Sequence, residues 1–77
     1  MPKQFFKGIK IGSVHSIFKR FFVVRMDKNF KGVVGHTIFN RKEKKIGRIL
    51  EIFGPFRKPY LKVLKFQEVS MREHVYI

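Results

Sequence analysis

Apolar and polar positions alternate along this chain in short bursts, each the length of a strand. Lys10 to Ile17 alternates loosely, with Gly12 where a strand bends or admits a neighbouring backbone. Phe18-Lys19-Arg20 reads as a turn, and Phe21 to Met26 as an apolar run too short and too β-branched for a helix. Asp27 to Gly32 is rich in turn formers, and His36 to Phe39 forms the next short strand. Asn40 to Lys45 is a charged connector with no apolar stripe to bury, so it is expected to be solvated. Tyr60 to Leu64 puts Leu61 and Val63 on one face, and His74 to Ile77 closes the chain with a final short strand. Residues 1–8 have no period and read as a frayed lead-in.

The segment between these strands, Ile46 to Phe66, organises the rest. Ile46, Ile49 and Ile52 recur at a spacing of three, which alone would fit a helix. Gly47 before them and Gly54-Pro55 after them leave too few residues for a stable one, and a strand with a bulge near Glu51 explains the slip in alternation. Pro55 and Pro59 then fix two φ angles, remove two amide donors and push Gly54 and Lys58 toward extended conformations. Phe53, Phe56 and Tyr60 surround these prolines. A stiff, aromatic-rich loop loses little entropy when a partner immobilises it, which favours a recognition element. The competing reading is that the three rings cap the end of a small core.

A chain of 77 residues allows one domain, over residues 1–77, and with no cysteine it must be stabilised by packing or by a partner. Ten Phe, many Ile and Val and no Ala suit a pleated, half-buried surface. The expected fold is all-β, a small closed or nearly closed antiparallel barrel of about six strands, because closure removes edges that would otherwise aggregate.

The candidate chemistry is sparse. Asp27, Glu43, Glu51, Glu68 and Glu73 fall in separate segments, so no acid–base pair is evident. His15, His36 and His74 have no ligand spacing, the glycines form no phosphate-binding pattern, and the serines have no nucleophile elbow. No catalytic residue, metal or cofactor is expected. No apolar run is long enough to span a membrane, and the N-terminus has no signal-peptide core, so a soluble intracellular protein is expected. Eighteen Lys and Arg against five acids give a net charge of +13, which calls for polyanions or acidic surfaces as neighbours. Lys19-Arg20-Phe21-Phe22 and Phe56-Arg57-Lys58-Pro59-Tyr60 interleave bases with aromatics, making Lys19, Arg20, Arg57 and Lys58 candidate RNA contacts. The alternative is a solvated basic face on a β domain.

Ile46-Gly47-Arg48-Ile49-Leu50-Glu51-Ile52-Phe53-Gly54-Pro55-Phe56, followed by Pro59-Tyr60-Leu61-Lys62-Val63, resembles the signature IGkVxEIFGPVxxPYvxV of the core β-barrel subunit of H/ACA ribonucleoproteins, the glycine/arginine-rich protein family. The likeness extends more loosely over Gly35 to Asn40, Ile11 to Val14 and Phe22 to Arg25, and covers roughly residues 9–66. Phe56 stands where valine is common, and Arg72-Glu73-His74 stands where the family usually has a glycine before its closing strand.

The resemblance implies a six-stranded barrel that does no chemistry itself. It docks on the catalytic domain of a pseudouridine synthase subunit and promotes loading and release of substrate rRNA. A box H/ACA guide RNA, a kink-turn-binding protein and a small zinc-ribbon protein belong to the same complex. Carried over by position, Phe53, Gly54, Pro55, Phe56, Pro59 and Tyr60 would form the docking loop, with Ile46 and Gly47 leading into it. Without glycine/arginine-rich tails the chain looks archaeal in type and therefore cytoplasmic, and it would be nucleolar only in a eukaryotic source. The alternative is an autonomous RNA-binding barrel, ribosomal or cold-shock-like.

Overall fold

The computed structural model describes residues 8–77, and every regular element among them is a strand. The strands are β1 (Lys10–Ile17), β2 (Phe21–Met26), β3 (Thr37–Phe39), β4 (Lys45–Phe53), β5 (Tyr60–Lys65) and β6 (His74–Tyr76). The lead-in expected over residues 1–8 lies, apart from Gly8, outside the described residues.

All pairings are antiparallel, and the order β1-β2-β5-β4-β3-β6 returns to β1, so the sheet closes into a barrel. The closing strand β6 bridges both sides: Val75 sits opposite Gly12 of β1, and Tyr76 opposite both Lys10 of β1 and Phe39 of β3. Ile9 and Ile77 exchange both backbone hydrogen bonds, at 2.9 and 3.0 Å, and lengthen that seam. Arg72, two residues before β6, has φ of 63°. Its amide donates to the carbonyl of Val14 at 2.9 Å, so the left-handed turn that delivers β6 is built without glycine.

The interior is filled by alternate residues, as a small barrel requires. Phe22, Val24 and Met26 point inward from β2, Leu61 and Val63 from β5, and Ile38 and Val75 from β3 and β6, all essentially free of solvent. β4 departs from simple alternation. Gly47 and Ile49 point inward opposite Lys65 and Val63 in turn, while Ile46 is an extra residue in the pairing with β3, and Leu50 an extra residue in the pairing with β5. The irregularity at Ile46 thus buries Ile46 and Ile49 at a spacing of three without any helix. Ile52 reaches only the rim of the barrel and is 39% exposed.

The charged connector between β3 and β4 is a tight turn organised by Asn40. Its Oδ1 accepts the amides of Lys42 and Lys44 at 2.8 and 3.0 Å, and the side chain is buried while the residues after it are exposed. At the other end of the barrel, the connection from β2 to β3 folds over the opening. Val33 is buried there, and Phe30 packs on the core. Among the described residues no helix is long and apolar enough to cross a membrane.

Candidate partner-docking site

The connection between β4 and β5 begins and ends on a matched pair. Phe53 and Tyr60 are opposite one another in the ladder and both point out of the barrel. Their rings stack with centroids 5.7 Å apart and planes 26° apart. The chain leaves Phe53 through Gly54, whose φ of 94° is a left-handed conformation that side-chain-bearing residues rarely adopt. A Cβ on Gly54 would lie 2.8 Å from Cδ2 of Tyr60, so the aromatic pair also needs the absence of a side chain there.

The loop returns through Pro59, which is buried and whose carbonyl accepts the amide of Met26 at 2.9 Å. Between these anchors Pro55, Phe56, Arg57 and Lys58 stand in solvent, with Phe56 at 78% the most exposed large apolar side chain among the described residues. A ring that exposed does not cap the core, so the capping reading fails for Phe56. Tyr60 is different: it is half-buried, with the ring of His15 at 5.1 Å and the guanidinium of Arg25 at 5.9 Å. His15, Ser16, Val23, Phe53 and Tyr60 line a shallow groove on the outer wall beside the loop. His15 and Arg25 were absent from the sequence-based site, because their approach depends on β1, β2 and β5 lying side by side. Arg25 pairs directly with Tyr60, and β1 carries one extra residue, His15, against β2.

Ile46 and Gly47 are corrected in one respect. Ile46 is fully buried, so its side chain belongs to the core and is unavailable to a partner. Gly47 is buried against the Leu64 carbonyl and the Val63 side chain, and its role is to let β4 and β5 approach. Of the predicted loop, Phe53 to Lys58 are therefore exposed and Tyr60 is half-buried, while Pro59 is its buried anchor.

The four candidate RNA contacts do not come together. Arg57 and Lys58 precede Tyr60 at the start of β5, whereas the Arg20 carbonyl accepts the amide of Lys65 at its end. Strand rise places these ends about 17 Å apart. Phe22, read with Lys19 and Arg20 as a stacking residue, is fully buried. Among the described residues no group of His, Asp or Glu could hold a metal ion.

No protein-family model matches the chain. An uncharacterized protein of Methanocaldococcus jannaschii is 38% identical over 56 residues, which is 73% of this chain and 65% of that relative. The match thus spans just under two thirds of the relative's length.

Proposed function

We propose that this chain is a non-catalytic subunit of a box H/ACA RNA-guided pseudouridylation complex, and that its β4–β5 loop docks on the catalytic domain of the synthase subunit. The observation that carries the reading is Phe56. It is a large apolar ring held 78% exposed at the tip of a loop whose two ends are fixed by the Phe53–Tyr60 stack and by Pro59. An exposed aromatic on a pre-ordered support is what a binding hot spot needs, since little ordering remains to oppose association. The resemblance of residues 46–63 to the barrel subunit of these complexes supplies the identity of the partner, and the closed six-stranded barrel agrees with it.

In this role the barrel performs no bond-making step. It contributes a rigid apolar contact to the synthase and, through its net charge of +13, a positive field that favours RNA nearby. Guide RNA, the kink-turn-binding protein and the zinc-ribbon protein would join the same assembly through the synthase, and substrate rRNA would be influenced indirectly.

An autonomous RNA-binding barrel would behave differently. Contact with about six phosphates gives a slope of log K on log salt near −5, whereas an apolar loop contact is nearly indifferent to salt. Direct binding of the purified chain to the isolated synthase subunit, without RNA, separates the two. A salt-tolerant complex lost on Tyr60→Ala supports docking, and failure to bind at any salt sinks it.

A further inference from the structure

Phe18 and Phe21 lie at the end of the barrel away from the proline loop, on the turn that joins β1 to β2. Their rings stack with centroids 4.7 Å apart and planes 24° apart. Stacked phenylalanines ordinarily share a core, yet Phe18 is 48% exposed, and neither ring belongs to the buried cluster. The turn holds them firmly. The Phe18 amide donates to the Phe21 carbonyl at 2.8 Å, Lys65 Nζ donates to the Phe18 carbonyl at 2.8 Å, and the Lys65 amide donates to the Arg20 carbonyl at 3.0 Å. The pair is a fixed, flat apolar surface rather than a loose tip.

Its surroundings are basic. Lys62 Nζ lies 4.8 Å from the Phe21 ring centroid, Lys19 and Arg20 are exposed on the turn itself, and the exposed Arg48 is opposite Leu64, the ladder neighbour of Phe21. Two acids are close: Glu68 is 3.7 Å from Lys65, and Glu51 is opposite Lys62 in the ladder. They leave the bases of this end in excess. An apolar protein surface laid over the rings would have to desolvate those bases or answer each with a carboxylate. A single strand of nucleic acid answers both features, because every base has a stacking face and every linkage has a negative charge.

We propose that the Phe18–Phe21 pair, with Lys19, Arg20 and Lys62, is a binding site for single-stranded nucleic acid, in which an unpaired base stacks on Phe18 and the flanking phosphates meet the three bases. This site stands apart from docking on the synthase, since the two surfaces occupy opposite ends of β5.

The test is fluorescence anisotropy of a short labelled oligouridylate titrated with the full chain, with oligodeoxythymidylate as a second probe. The site predicts binding that weakens about tenfold or more in Phe18→Ala, consistent with the loss of one base–aromatic stack. Phe18→Tyr should retain it and Phe56→Ala should leave it unchanged. The double variant Lys19→Gln with Lys62→Gln should lower the salt slope by about 1.4, the share of two phosphate contacts on a single strand. Phe18 is half-exposed, so its replacement should leave the unfolding midpoint near that of the parent chain. Absence of binding, or equal affinity for the parent and Phe18→Ala, would overturn the proposal. So would an unaltered salt slope in the lysine variant.

Discussion

Phe53 and Tyr60 close the β4–β5 connection as a pair, opposite one another in the ladder and stacked at 5.7 Å. Residues 54–58 therefore project from a fixed base, with Pro59 as its buried anchor, and the apolar loop tip is ordered before any partner arrives.

Gly54 is the position on which that base depends. In Gly54→Ala a left-handed φ of 94° would have to carry a Cβ that also meets Tyr60 at 2.8 Å. The expected cost is on the order of 1–3 kcal/mol in urea-induced unfolding, together with weaker partner binding as the stack is displaced. An unchanged unfolding midpoint with intact binding would mean that the loop does not need this geometry.

Gly47 tests the barrel rather than the loop. Its Cβ would lie 2.5 Å from both the Leu64 carbonyl oxygen and Val63 Cγ1, and 3.3 Å from Phe22. The carbonyl is part of the backbone and cannot yield without disturbing the β4–β5 ladder. Gly47→Ala should lose roughly 2–3 kcal/mol of stability by chemical denaturation, far more than an alanine at an exposed strand position.

Asn40 holds the β3–β4 turn with a single oxygen shared by two amides. Asn40→Ala removes both acceptor contacts at a mostly buried position and should cost about 1–2 kcal/mol. Faster amide hydrogen exchange at Lys42 and Lys44 would localise the effect to the turn.

Arg72 occupies a left-handed conformation, with φ of 63°, at the entry to the closing strand. Arg72→Gly should leave stability unchanged or raise it by up to about 1 kcal/mol, as relief of the backbone conformation outweighs the greater freedom of glycine in the unfolded chain. Arg72→Val should lower it, since a β-branched residue tolerates this region least. Thermal unfolding of the two variants side by side gives the sign directly.

Much of the barrel was legible in the chain because its strands obey local rules. Alternation with turn formers placed all six, with bounds that differ from the structure by a residue or so at most ends, and the slip in alternation pointed to the irregularity that falls at Leu50. What local rules cannot report is which strands become neighbours. The insertion of β5 between β2 and β4 is a tertiary outcome, and it decides that Arg25 flanks Tyr60 and that Lys19 and Arg20 lie far from Arg57 and Lys58. Nor does composition tell one aromatic from another. Phe18, Phe21 and Phe22 are close in sequence, yet Phe22 fills the interior while Phe18 stays in solvent, because the inward phase of β2 begins at Phe22. Ile46 was read as part of the loop's approach for the same reason: its burial depends on an extra residue in the pairing with β3.

Under the proposed function, affinity for the synthase subunit would be carried by the exposed apolar tip of the β4–β5 loop. Calorimetric titration of the isolated synthase subunit with the parent chain and with Phe56→Ala, at about 0.15 M and about 0.5 M salt, tests it most directly. Docking predicts tight binding that changes little between the two salts and falls by on the order of 2 kcal/mol in Phe56→Ala, with the unfolding midpoint of the variant unaltered. Binding that is absent at both salts, or that Phe56→Ala leaves untouched, would contradict docking through this loop.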